Sequence, residues 1–219
     1  MLAARWSARG AALTALAALA TATSATAATA APADRPGPSP APSSASAQSA
    51  AALGGVDYAM WQRDVTAALD GARSYIEQRT ARAEGKRLAI VLDIDNTSLE
   101  TDFHPFWEWP TPAVKPVREL VRYADARGVG VFFVTARPGI LHAPTAINLA
   151  TAGYPVDGLY VRDLPDLFEE VSAYKTEKRA EIEAKGYTVI ANIGNRSTDL
   201  VGGHAERTWK LPDYDGKLS

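Results

Sequence analysis

Leu88-Ala89-Ile90-Val91-Leu92-Asp93-Ile94-Asp95-Asn96-Thr97-Ser98 is the stretch whose reading decides the fold. An uninterrupted apolar run ends abruptly in two carboxylates spaced two apart. A short run with β-branched residues, followed at once by polar ones, predicts a buried strand delivering side chains to a sheet edge. In open parallel α/β sheets, ligands bind at that carboxyl edge. Two acids there suit a magnesium ion that needs oxygen ligands and a phosphoryl group that needs both a nucleophile and a proton donor. Taken alone, Asp-x-Asp also fits an Asx turn or a helix cap. A calcium loop beginning at Asp93 does not fit, because its sixth and twelfth positions hold Ser98 and His104 where Gly and Glu are needed.

Working outward, residues 57–84 place Tyr58, Trp61, Val65, Ala68, Leu69, Ala72 and Ile76 mostly at three- and four-residue steps, which predicts one amphipathic helix closed by Gly85. Downstream, Pro116 opens a helix to about Arg127, and Val131 to Thr135 is a second apolar strand. A helix over Ala143 to Ala152, a short strand at Leu159 to Val161 and a charged helix from Lys175 to Lys185 follow. Strands at Thr188 to Ile193 and Arg207 to Leu211 complete the pattern. Such alternation predicts a doubly wound α/β fold with a parallel sheet covered on both faces.

The chain begins differently. Arg5 and Arg9 precede the mildly apolar Ala11 to Ala20, and Ala-Thr-Ala triplets follow at 25–27 and 28–30, the layout of a secretory signal peptide over residues 1–30. Residues 31–55 are nearly all Ala, Pro, Ser, Gly and Gln, a composition that predicts a disordered linker ahead of a domain over residues 56–219. The apolar stretch is too short and too rich in Ala and Thr for a membrane span. The chain has no cysteine, which excludes disulfides, thiolate metal sites and a lipid anchor on Cys. Its formal charge of −2 becomes −4 when a segment carrying two arginines and no acid is removed. Mild acidity leaves no electrostatic footprint for nucleic acid or an anionic membrane.

Four elements carry the chemistry. Asp93 is the candidate nucleophile, and Asp95 the group that protonates the leaving oxygen and then activates water. Thr97 is placed to fix the turn. Thr135, followed by Ala136, Arg137 and Pro138, brings a hydroxyl and backbone N–H groups to hold phosphoryl charge. Tyr174-Lys175 opens a helix, and the Lys175 ammonium can neutralise nucleophile and phosphate together; Lys175 is preferred to Lys178 as nearer the sheet edge. Gly194, Asn195 and Asp199 follow the fourth strand, where oxygen side chains could complete a magnesium site that retains waters.

With these residues in order, the chain resembles the haloacid dehalogenase-like (HAD) superfamily, whose pattern runs Asp-x-Asp-x-Thr, Thr or Ser, Lys, then Gly-Asp-x-x-x-Asp. Leu92 to Thr101, Phe133 to Pro138 and Tyr174 to Arg179 through Tyr187 are similar to the class B type acid phosphatases, including plant and bacterial secreted members. The resemblance implies Asp93 as nucleophile, Asp95 as acid/base, Thr135 and Lys175 as phosphate ligands, and Mg2+ held by Asp93, Asp95, Asn195 and Asp199. Asn195 departs from the family's aspartate, exchanging a charged ligand for a neutral amide. That departure motivates a rival reading, a weakly active or non-catalytic binding or storage protein on a degenerate fold of this kind. Carbon–halogen hydrolysis is disfavoured, since it needs neither magnesium nor the second acid.

No separate cap domain fits between Thr97 and Thr135 or between Val161 and Lys175. The aromatic segment 101–110 is expected to form a flap at the substrate entrance, with His104, Phe106 and Trp107, together with Arg137, as candidate pocket residues. Such an open site suits varied small phosphomonoesters, nucleotides or aryl phosphates among them.

Overall fold

The computed structural model describes residues 55–219; the expected signal peptide and all but the last residue of the expected linker lie outside the described residues. Five parallel strands, β1 (Arg87–Leu92), β2 (Gly130–Pro138), β3 (Gly158–Arg162), β4 (Tyr187–Gly194) and β5 (Thr208–Lys210), form one sheet in the order β3-β2-β1-β4-β5. The doubly wound α/β architecture follows, with β1 at the centre. The chain leaves β1 toward β2 and β3 and later returns to its other side with β4. Asp93 therefore emerges where the winding direction reverses, the crevice in which such sheets bind ligands.

Alternation along β1 explains how both faces are covered. Leu88, Ile90 and Leu92 point into the larger core with α1 (Tyr58–Ala68), α2 (Ala72–Ala81) and α3 (Lys115–Asp125), whereas Ala89 and Val91 point toward α5 (Val171–Ala184) through Tyr174 and Ile182. The remaining helices are α4 (His142–Thr151) and the single turn α6 (Ser197–Leu200).

Two expectations are corrected. The single helix expected over 57–84 is two, because Gly71 adopts φ +71° and turns the chain between α1 and α2. The apolar steps continue through the break, so periodicity alone did not show it. The helix expected to open at Lys175 begins at Val171, which moves Lys175 from its N-terminus into its second turn.

Candidate active site

Asp93 is the first residue beyond β1. Its backbone N–H donates to the Ile193 carbonyl at 3.0 Å, and its own carbonyl accepts from Ser98 Oγ at 2.6 Å. Lys175 reaches down from α5 and donates from Nζ to Asp93 Oδ1 at 2.5 Å and to Asp199 Oδ1 at 2.6 Å. All three side chains are buried. Asp199 is itself fixed, since its Oδ2 accepts from the Arg196 N–H at 2.7 Å.

Gly194 makes this approach possible. A Cβ built there would lie 2.4 Å from the Asp199 Cβ, closer than side-chain atoms can pack. Gly194→Ala is expected to push Asp199 away, leave Lys175 with one anchor, and lower turnover by about 10²-fold, the scale of a 1 Å misplacement. Steady-state rates matching the wild type would contradict that role.

Two carboxylates share one ammonium, and the imbalance is visible at Asp93. Burial pushes the Asp93 carboxyl up to about 7; Lys175 opposes this, but Asp199 and Asp95 add to it. Burial alone would lower the Lys175 pKa, yet Asp93 and Asp199 together hold it above the ordinary lysine value. Between about pH 4 and pH 7 the native chain thus keeps a proton on Asp93 that the unfolded chain releases. Stability without divalent metal should accordingly fall as pH rises through that window. Asp93→Asn cannot ionise, so in chelator its melting temperature should exceed the wild type's by more at pH 8 than at pH 5, by about 2–4 °C for each kcal/mol of burial cost removed. A gap that is constant or shrinks with pH would count against the assignment.

Asp95 sits in a different setting. Arg137 donates to both its oxygens, Nε to Oδ2 at 3.1 Å and one terminal nitrogen to Oδ1 at 2.7 Å, and Thr101 Oγ1 donates to Oδ1 at 2.8 Å. Burial pushes this carboxyl up, but Arg137 and Thr101 outweigh it and hold it below the usual carboxylate range. Arg137 is braced by Thr145 Oγ1 on α4 at 3.0 Å. The two acids are therefore driven apart in pKa, and in the resting chain Asp93 holds its proton more tightly while Asp95 is the ionised one.

Thr135 is fully buried at the end of the straight part of β2, and its Oγ1 accepts from the Arg137 N–H at 3.2 Å. Asn195 is buried too. Its Oδ1 accepts from Thr97 Oγ1 at 3.3 Å, and its Nδ2 donates to the Ser219 carbonyl at 2.6 Å. Asn96 binds Ser219 as well, at 3.0 Å. The amide thus ties the first and last motifs to the segment that closes this side of the site.

A cleft of about 490 Å³ opens over Asp93, Asp95, Ala136, Val171, Lys175, Arg196, Thr198 and Ser219. The flap candidates lie elsewhere. His104 contacts Glu100 at 3.3 Å and Glu108 at 3.2 Å, and Glu100 also accepts from Tyr58 and Gln62 of α1, so His104 belongs to the flap's anchorage. Phe106 and Trp107 project into solvent, packed edge to face on each other at 5.0 Å. Neither they nor His104 and Arg137 line the cleft.

Arg179 was read from sequence only as part of a charged helix, yet it is among the most buried side chains. It donates to the carbonyls of Asp199 and Gly203 at 2.9 Å, and to Val201, holding the loop that carries Asp199. Its four-residue spacing from Lys175 puts both on one helix face, the signal that could have found it.

The oxygen donors at this edge suit a hard divalent cation. Among the described residues no three His, Asp or Glu side chains form a metal cage. Magnesium does not need one, since it takes one or two carboxylates and keeps several waters. The unbalanced charge of Asp93 and Asp199 is what a nearby cation would offset.

A profile of the family described as HAD superfamily, subfamily IIIB (Acid phosphatase) matches residues 17–217. The chain belongs to that family. The Stem 28 kDa glycoprotein of Glycine max is 34% identical over 90 residues, covering 39% of this chain and 35% of that protein. Acid phosphatase 1 of Solanum lycopersicum is 29% identical over 104 residues, covering 47% of this chain and 41% of its own. The chain thus spans well under half the length of these curated relatives. Among solved structures, the class C acid phosphatase from Bacillus anthracis superposes with a TM-score of 0.58 at 16% identity, covering 72% of this chain and 79% of that one. At that identity the likeness concerns the fold. It agrees with the family in placing a HAD-like sheet under these motifs.

Proposed function

We propose that this member of the HAD acid phosphatase family is a secreted, magnesium-dependent phosphomonoesterase that works through an aspartyl-phosphate intermediate. The observation that carries the reading is the Lys175 clamp on Asp93 and Asp199 at the reversal point of the sheet, with Asp95 held beside it by Arg137. Secretion rests on the charged, apolar and Ala-x-Ala layout of residues 1–30, and among the described residues no helix is long and apolar enough to cross a membrane.

In the first step an Asp93 oxygen attacks phosphorus, the ester P–O bond breaks, and the departing oxygen takes a proton from Asp95. In the second, water attacks the phosphoryl group, the P–O bond to Asp93 breaks, and the proton of water passes to Asp95. Lys175 holds the Asp93 carboxylate in place and offsets phosphoryl charge, while the Thr135 hydroxyl and the Ala136 N–H hold the transferred oxygens. Arg137 keeps Asp95 ionised in the resting chain. A substrate phosphate entering the cleft brings negative charge beside Asp95, which raises its pKa so that it can carry the proton it must donate. Asp93, the Asp95 carbonyl, Asn195 and Asp199 would hold Mg2+, which supplies positive charge to a phosphoryl oxygen when bound.

The test is phosphate release from an aryl phosphate by the full chain, with magnesium and with chelator. Turnover that chelator abolishes and magnesium restores is expected. Chelator-resistant turnover would overturn the metal's role. An inactive wild type made active by Asn195→Asp would favour the non-catalytic reading.

A further inference from the structure

Eight of the twelve large apolar side chains most exposed among the described residues lie on the three loops that follow β1, β2 and β3. Phe106 (93% exposed) and Trp107 (74%) are on the flap after β1, Ile140 (87%) follows β2, and Leu164 (72%) and Phe168 (86%) follow β3. The sheet order makes these strands neighbours, so their loops stand side by side along the carboxyl edge. Neighbouring strands are about 4.8 Å apart, which gives the row a span of about 10 Å. Singly exposed apolar residues are ordinary, but a row beside a candidate catalytic centre is a binding surface in want of an occupant.

Position selects the occupant. The proton donor Asp95 is held by Thr101 of the flap and by Arg137 near the end of β2, so it sits between the flap and the loop that follows β2. A leaving oxygen that takes its proton from Asp95 must face that junction, and whatever the oxygen carries extends over the apolar row. Charge narrows the choice further. The loop after β3 also carries Asp163, Asp166, Glu169 and Glu170, of which Asp166 is met by Lys178 of α5 at 3.6 Å. These acids disfavour an anionic lipid surface, a nucleotide with further phosphates, and a second copy docked face to face, which would bring like charges together. A neutral apolar group meets no such cost.

We infer that the three-loop row binds the leaving group of the substrate, and that the preferred phosphomonoesters carry an uncharged alkyl or aryl tail. This rests on the phosphatase reading and specifies its substrate class. The experiment compares kcat/KM of the full chain with magnesium on methyl, butyl and octyl phosphate, each kept monomeric, for the wild type and for Ile140→Ser with Phe168→Ser. Both replaced side chains are exposed, and melting temperatures check the fold. In the wild type kcat/KM should climb with chain length, up to about fourfold for each fully buried methylene. The double variant should show a shallower climb.

Hydrolysis of methyl phosphate with no chain-length dependence would overturn the inference and leave the phosphatase reading standing. So would a climb that the double variant keeps. A wild-type dimer in sedimentation that the double variant dissolves would make the row a subunit interface and also overturn it. Release from none of the three phosphates would overturn the inference, and the aryl phosphate assay then decides whether the phosphatase reading falls with it.

Discussion

Asp93→Asn is expected to abolish phosphate release from every substrate alike, by on the order of 10⁴-fold or more. The reason is chemical and geometric together. An amide is a poor nucleophile, and it also withdraws the charge that Lys175 meets at 2.5 Å. Because Lys175 keeps its second partner, Asp199, at 2.6 Å, the ammonium stays in the site and the fold persists. The loss should therefore appear in kcat with a melting temperature at or above the wild type's. Loss of activity accompanied by unfolding would point instead to the carboxylate as a structural element.

Asp95→Asn should behave otherwise, and the difference depends on the leaving group. A phenolate departs with little need of a proton, whereas an alkoxide requires one. Single-turnover phosphorylation should fall by about 10²–10⁴-fold for alkyl phosphates and much less for aryl phosphates. Equal losses would show that Asp95 only positions the turn. In the resting chain the order is the reverse of these roles, Arg137 holding Asp95 below the usual carboxylate range while burial holds Asp93 above it, so cation and substrate binding must lower the Asp93 pKa and raise that of Asp95.

The part of this site that sequence made legible is local. Residues 88–98 announce a buried strand and its two acids because hydrophobicity ends at one residue, and the same holds for Val131 to Thr135 and for the approach to Gly194. What stayed hidden depends on partners far along the chain. Lys175 was expected at a helix start because no side chain caps the true start near Val171, and the acidic Glu169-Glu170 before it read as loop. Its double contact with Asp93 and Asp199 joins positions 82 and 24 residues away. Nothing in periodicity encodes such a pairing. Gly71 broke a helix whose apolar steps ran on through it, because the chain turns without changing which residues face the core. Asn195 was read only as a weakened metal ligand, whereas its amide also ties Thr97 to Ser219, a use that needs an N–H2 group an aspartate lacks.

Plain tertiary packing accounts for the reassigned flap. His104 is drawn back by Glu100, whose carboxylate also accepts from Tyr58 at 3.0 Å and Gln62 at 2.7 Å. Phe103 is buried against Trp61, with ring centroids 4.4 Å apart. Anchored at these two points, the flap presents Phe106 and Trp107 outward, and the aromatic character noticed in the sequence faces solvent beside the cleft.

The central claim is a covalent phosphoryl group on Asp93. Rapid mixing of the full chain with substrate and magnesium, an acid quench within one turnover, and mass analysis of the peptide containing residue 93 test it directly. The account predicts that this peptide gains one phosphoryl group, that the gain accumulates longer in Asp95→Asn, and that it is absent in Asp93→Asn. Phosphate turnover with the peptide unmodified throughout, or with the phosphoryl group on another residue, would contradict it.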